Sequence, residues 1–320
     1  MSDGNQRTIG VLLMAYGGPN TLDDIGPYLA DIRHGRPTSQ ELLDEITDRY
    51  RQIGGSSPIL ALTNAQATAV EAALNDDEAA ADGVHYKVYV GMRHWHPYIE
   101  DVVPVMLADG INQIIAIVMA PHFSRMSIGA YMGKVNKALV DRPDVQVAQV
   151  ASWKDEPAFI AGVADRVREG LEQFAPDERE DVPLLFTAHS LPARILESGD
   201  PYVEELQTSV RLVVEQLQPK EWHWAFQSQG ASAEVWLGPT VEDTLVQLQA
   251  AGKRNLLLIP IGFVCDHVEV LFDVDIEHRH QAQELGIRLE RPRMLNDDPA
   301  LVEAVTTAIR RTAAELSVAV

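Results

Sequence analysis

The sequence predicts an α/β protein of two similar halves, each a four-stranded parallel sheet flanked by helices. Three observations carry this expectation. Short apolar runs alternate with helix-like segments along the whole chain, as βαβ units and parallel sheets require. The runs divide into four per half. The second half also repeats the first: "HPYIEDVVPVMLADGINQIIAI" (96–117) lies over "GPTVEDTLVQLQAAGKRNLLLI" (238–259), with Pro97 on Pro239, an offset of 142. Glu100, Asp101, Ala108, Gly110 and Ile117 meet identical residues in that register. "DEPAFIAGVADRVR" (155–168) lies over "DDPALVEAVTTAIR" (297–310) at the same offset, without a gap. An ungapped register over such a span is hard to reach by chance.

In chain order, the apolar runs fall near 8–15, 86–91, 113–119, 144–150, 183–188, 222–228, 255–262 and 286–293. Runs such as "IIAIVMA" (114–120) have the length of strands buried on both faces and are far too short to span a bilayer. Ala15 lies over Ala188 at an offset of 173 rather than 142, so the first half carries 31 extra residues after its first strand. They belong to an insertion at about 20–60. Within it Thr38 and Glu41 read as a capping box, Leu42, Ile46, Tyr50 and Ile53 share one helical face, and Gly54-Gly55 ends the helix. An addition above a sheet edge shapes a ligand site. The charged, proline-bounded "FAPDEREDVP" (174–183) marks the join. The expected organisation is two Rossmann-like domains, 1–170 with the insertion and 171–320.

Bulk properties narrow the function. With 46% hydrophobic residues the chain can bury a core, and a formal net charge of −21 argues against nucleic acid and anionic membrane surfaces as partners. The single cysteine, Cys265, excludes a disulfide framework and a four-thiolate cluster built by this chain alone. "MSDGNQRTIG" has no apolar core of a leader. A soluble, cytoplasmic protein is expected.

The candidate chemistry sits where ligands bind in open α/β sheets, beyond the carboxyl ends of the strands. "PLLFTAHSLP" (183–192) ends its strand on His189, and the matching "VLLMAYGGP" (11–19) puts Tyr16 in the same place. A lone histidine there also serves to cap a helix or satisfy a loop carbonyl; the matching Tyr16 shifts the balance towards two rings facing one cleft. In "GFVCDHVEVLFDVDIEHRH" (262–280), Glu269, Asp273 and Glu277 recur every four residues, on one stripe of a helix or of an under-wound π-type turn. A solvated acidic face is the usual meaning of such a row. Here it alternates with Val268, Val270, Leu271, Phe272, Val274 and Ile276, and partly buried carboxylates in a row share protons or bind cations. His94 and His96 form an H-x-H pair that ligates metal on a strand but often packs on a loop. Met126, Met132 and Tyr131, set among glycines, suit a flat apolar ligand. The first sixty residues hold no lysine and five arginines: Arg7, Arg33, Arg36, Arg49 and Arg51. Arginine forks match carboxylates, although pairing with Glu45 or Asp48 is the ordinary expectation for Arg51.

These residues resemble the ferrochelatases, which insert ferrous iron into a porphyrin. The resemblance covers nearly the whole chain and rests on "FTAHSLP", "GFVCDHVEVLFDVDIE", "YLADIRHGR", "DRYRQIGGSSPI" and "RHWHPYIED". "MAYGGP" is similar to the coproporphyrin-using branch of monoderm bacteria. The resemblance implies a chelatase-like fold and the metallation of coproporphyrin III. It places iron on His189 and Glu269, porphyrin contacts on Tyr16, Arg33, Arg49, Tyr50, Ser57 and Tyr131, and support on His94, Asp273 and Glu277. Fe²⁺ and coproporphyrin III are then the substrates, with no resident cofactor. No iron–sulfur cluster is expected, since the cysteines that hold one in some relatives are missing. The charged lip "ELLDEITDRYRQ" favours an enzyme without membrane docking, expected as a monomer with a transient partner for product hand-off. The alternatives are a protoporphyrin IX ferrochelatase, another tetrapyrrole metal chelatase, and a non-catalytic haem-binding or delivery protein.

Overall fold

The computed structural model describes residues 7–76, 83–230 and 234–318. Residues 1–6, on which the reading of the N-terminus partly falls, lie outside them. All eight apolar runs are strands. β1 (Arg7–Ala15), β2 (Val84–Met92), β3 (Gln113–Val118) and β4 (Gln146–Val150) form a parallel sheet in the order β2-β1-β3-β4. β5 (Leu184–His189), β6 (Trp222–Gln227), β7 (Asn255–Ile259) and β8 (Arg288–Glu290) repeat it as β6-β5-β7-β8. The central strands read as continuous apolar runs because helices cover both faces. Leu12, Leu13 and Met14 on β1 and Leu185 and Phe186 on β5 are fully buried. Each such side chain contributes about 1.5–3 kcal/mol by leaving water.

The helices are α1 (Ile25–Ile32), α2 (Gln40–Gln52), α3 (Ile59–Leu74), α4 (Ile99–Ala108), α5 (Ile128–Ala138), α6 (Pro157–Leu171), α7 (Tyr202–Leu217), α8 (Val241–Ala250), α9 (Val268–Leu271), α10 (Arg279–Glu284) and α11 (Pro299–Val318). A π-helical turn, Asp273–His278, separates α9 from α10. The internal repeat is structural: α4 and α8 begin at Ile99 and Val241, and α6 and α11 at Pro157 and Pro299, each 142 apart. The prolyl bonds before Pro97 and Pro239, also 142 apart, are both cis.

α3 and α7 begin at Ile59 and Tyr202, 143 apart, so nearly all the extra residues of the first half lie between β1 and α3, as α1, α2 and their connections. The N-cap of α2 differs from the expectation. Ser39, not Thr38, takes the cap, its hydroxyl accepting from the Leu42 amide. The apolar face is Leu43, Ile46, Tyr50 and Ile53, which pack on Ile25 and Leu29 of α1 with Tyr50 buried, while Leu42 stays outside that cluster. Gly54 and Gly55 end the helix with φ of 104° and 88°, where only glycine is comfortable.

One apolar core runs through both halves, joining Leu13 and Ile117 of the first sheet to Leu257 and Ile259 of the second. The last helix of each half takes part in the other half's packing. α11 lies on α3 and β4, and the Arg310 guanidinium donates to the Ala73 carbonyl at 2.7 Å. α6 lies on β7, where a Cβ on Gly170 would meet Leu257 at 3.0 Å. Among the described residues no helix is long and apolar enough to cross a membrane.

Candidate active site

In each sheet the chain order reverses between the two central strands, β1 and β3 or β5 and β7, and a crevice opens at such a switch point. Tyr16 follows the last residue of β1, and His189 is the last residue of β5. Both line one cleft of about 300 Å³ between the halves, to which Arg93, Met126 and Tyr131 contribute from the first half and Glu269 from the second. The approach of the β7 loop to β5 depends on Gly262, where a Cβ would sit 2.6 Å from that of Ala188. That proximity lets the loop run on to His267, which precedes α9, and deliver Glu269 to the imidazole.

His189 Nδ1 lies 2.9 Å from Glu269 Oε2. A carboxylate only accepts, so Nδ1 carries the hydrogen in either charge state, and the Nε2 lone pair is free only when the ring has released its second proton. Both partners are anchored from behind. The Tyr202 hydroxyl donates to the His189 carbonyl at 2.9 Å. The Gln227 amide donates to the Glu269 carbonyl at 2.8 Å and accepts from the Thr187 hydroxyl at 2.6 Å. Burial works against charge on each member, but the two charges together outweigh it. The His189 pKa is raised by Glu269 and Asp273, and the Glu269 pKa is lowered by His189. The pair favours imidazolium and carboxylate over two neutral groups.

The acidic row continues from α9 into the π-helical turn. Asp273 is buried, 5% exposed, and takes a hydrogen bond from the Ser228 hydroxyl. Its Oδ1 lies 3.5 Å from the Arg49 guanidinium. Burial first, and then the Glu269 charge, push its pKa up to about 7. Glu277, one turn on, is half-buried. Of the three, Glu269 lines the cleft, Asp273 is the most buried and Glu277 is half-buried beyond it.

Opposite, Tyr16 is 39% exposed with its ring 4.7 Å from that of His94. Burial, and then Glu269, push its hydroxyl up to about 12. His94 is buried behind it, with Nδ1 2.7 Å from Asp31 Oδ2, and burial takes its pKa down to about 4 despite that carboxylate. The H-x-H pair does not converge. His96 is exposed and its ring packs against Trp95 and Tyr98. Tyr131 is buried, with its hydroxyl raised mainly by burial.

The remaining expected contacts flank the cleft without lining it. Arg33 closes α1 and donates to the Pro37 carbonyl at 3.1 Å, while its buried Nε has no hydrogen-bond partner among the described residues. Arg49 is held by Glu45 at 2.9 Å and by Asp273, and stacks 5.0 Å over the Phe272 ring. Arg51 pairs with Asp48, as expected of a surface helix. Tyr50 packs edge-on against Tyr28, 6.5 Å between centroids. Ser57 abuts Gly18, where a Cβ would approach to 2.6 Å.

Sequence reasoning missed Arg93 and Asp31. Arg93 stacks 5.9 Å from the Tyr16 ring and 5.3 Å from the Tyr131 ring and lines the cleft, with no ion pair among the described residues. It stood in the quoted "RHWH" beside His94, and an arginine next to a candidate ligand was the available signal. Asp31 gave no local signal, since its partner lies 63 residues on.

A two-lobed α/β scaffold with one inter-lobe cleft, an imidazole–carboxylate pair on one wall and a tyrosine on the other defines a chelatase-type protein. The fold is similar to SirB from Bacillus subtilis with Fe³⁺ (TM-score 0.59, 12% identity, 97% of each chain). It is also similar to the sirohydrochlorin chelatase SirB of the spizizenii subspecies in complex with cobalt (TM-score 0.55, 11% identity, 96% and 95% of the chains). Residues 8–313 match the ferrochelatase family. The chain is 48% identical to a ferrochelatase of Deinococcus radiodurans over 98% of both chains, and 39% identical to a coproporphyrin III ferrochelatase of Halalkalibacterium halodurans over 97% and 99%. The chain belongs to the ferrochelatase family, enzymes of haem biosynthesis that insert iron into a porphyrin.

Proposed function

We propose that this ferrochelatase acts on coproporphyrin III, giving Fe-coproporphyrin. The observation that carries the reading is Arg93, a guanidinium in the cleft that stacks on Tyr16 and Tyr131 and pairs with no carboxylate of the described chain. It is suited to a substrate carboxylate, and coproporphyrin brings four where protoporphyrin brings two. Arg33, Arg49, Tyr50 and Ser57 on the insertion side extend the carboxylate-binding rim, and Tyr16 faces the metal from the wall opposite His189. The coproporphyrin III ferrochelatases among the relatives support the same choice.

Metallation exchanges two pyrrole protons for one Fe²⁺. The macrocycle must be bent so that its nitrogen lone pairs meet the ion, and binding of the peripheral carboxylates offsets the strain. His189, whose Nε2 becomes available once the ring is deprotonated, and Glu269 together handle the arriving iron and the pyrrole protons; imidazole and carboxylate both suit Fe²⁺. Asp273 and Glu277 pass protons or hydrated cations between this pair and water, with His94 supporting Tyr16 from behind. On this reading the enzyme is a cytoplasmic monomer, needs no iron–sulfur cluster and hands its product to a transient partner.

The test is anaerobic mixing with Fe²⁺ and either coproporphyrin III or protoporphyrin IX, following the Soret and visible bands. Many turnovers on coproporphyrin III and few on protoporphyrin IX support the proposal. The reverse preference overturns the substrate, and binding without turnover overturns the chemistry.

A further inference from the structure

The acidic row depends on an uncommon piece of backbone. In a regular α-helix, residues four apart drift by ~40° around the axis, so Glu277 would point ~80° away from Glu269. The wider i→i+5 turn over Asp273–His278 reduces that drift, and such turns are rare and short because their hydrogen bonding is poorer. Something outside the turn must favour it over rewinding.

Asp275 lies two residues from both Asp273 and Glu277, hence on the opposite side of the turn. Arg291, just past β8, grips it with a two-pronged contact: Nε to Oδ1 and an Nη2 to Oδ2, each 2.7 Å. The same Nη2 donates to Asp266 Oδ1 at 3.0 Å, in the loop that leads to Glu269. The Arg291 side chain is 12% exposed and its carboxylate partners 23% and 22%, so this is a half-sheltered triad. Asn296 completes the frame. Its side-chain amide donates to Asp266 Oδ2 and its side-chain oxygen accepts from the Asp266 amide, each at 2.9 Å. Its carbonyl accepts from Gln66 on α3 at 2.6 Å. Asn296 has a φ of 52°, a conformation asparagine tolerates better than most residues.

We propose that Arg291 is a positioning residue for iron insertion, clamping the π-helical turn and the Asp266 loop so that Glu269, Asp273 and Glu277 keep one line. It touches neither the cleft nor the acidic row and acts through Asp275 and Asp266. A lysine cannot replace it, because only the planar guanidinium offers two parallel donors to one carboxylate. The inference rests on the proposed roles of His189 and Glu269.

The test uses Arg291→Met, Arg291→Lys and Asp275→Asn in the full chain. It measures kcat and KM for Fe²⁺, the coproporphyrin III dissociation constant, the pH profile of kcat and the melting temperature. Arg291→Met and Asp275→Asn should each lower kcat at least tenfold, leave porphyrin binding within about twofold and shift the pH profile. Arg291→Lys should recover less than half of the loss, and the Arg291→Met/Asp275→Asn double variant should be no slower than the worse single one. If Arg291→Met does not fold, Asp275→Asn decides, because Arg291 then keeps Asp266. Wild-type kcat and pH profile in folded variants overturn the clamp, as does a kcat loss that only tracks the folded fraction. Parallel His189→Ala and Glu269→Gln controls separate the two readings. If they turn over normally the proposed chemistry fails, and if they are inactive while the Arg291 and Asp275 variants are normal, only the clamp fails.

Discussion

Replacing Asp273 by asparagine should stabilise the protein, and by more at alkaline than at acidic pH. The side chain is buried, and its pKa is pushed up to about 7 by burial and then Glu269, with Ser228 and Arg49 pulling the other way. Between the ordinary 3.8 and about 7 lie roughly three tenfold steps in proton affinity, on the order of 4 kcal/mol. The sign follows from counting protons. In that interval the folded protein holds a proton that the unfolded chain has released, so stability falls as pH rises. The contribution is fully present below 3.8 and lost once pH passes about 7. Asparagine imitates the neutral carboxyl at every pH. Its advantage should therefore be on the order of 2–3 kcal/mol larger at pH 8 than at pH 5. Urea unfolding followed by far-ultraviolet circular dichroism at the two pH values measures it. An equal effect at both would refute the argument, because it would mean that Asp273 has the same proton affinity folded and unfolded.

Three further outcomes are expected. The His189 pKa is raised with Glu269 and Asp273 as the charges responsible, so a base at this position is lost as pH falls through a value above 6.5; Glu269→Gln should lower that pKa, read from the pH dependence of the His189 ring signals in NMR, and an unmoved titration would break the assignment. Arg93→Ala should weaken coproporphyrin III binding by about 1.5–3 kcal/mol, the range for a hydrogen bond to a charged group, as read by quenching of porphyrin fluorescence; an unchanged dissociation constant would remove the main support for the substrate. Gly262→Ala should destabilise the fold by about 1–3 kcal/mol through overpacking, since its Cβ would lie 2.6 Å from that of Ala188; a lossless variant in thermal melts would show that the β7 loop can move away from β5.

The strands were legible because a strand buried on both faces leaves a continuous apolar run, as "LLLI" at 256–259 does in β7. The duplicated architecture was legible because α4 and α8 kept their residues in register. Glu269, Asp273 and Glu277 stood out because like charges at that spacing are unfavourable on a plain helix, and the π-helical turn keeps them close enough that Glu269 and Glu277 still raise the Asp273 pKa. What stayed hidden depends on distant partners. Nothing near Asp31 announces His94, and nothing near Arg49 announces Asp273, 224 positions further on. The cap of α2 went to Ser39 rather than Thr38 because both are good cap residues, and only packing against Ile25 and Leu29 selects the register.

The exchange of α6 and α11 between the halves bears on how this molecule can be divided. A fragment ending near residue 298 would lose not a peripheral tail but the roof of its opposite lobe, leaving Ala73 and the face of β4 bare. Neither lobe should therefore survive as an independent module, and splitting the gene at the join should yield two insoluble pieces rather than a reconstitutable pair. The same interlacing should resist wide hinge swinging between the two reactive walls.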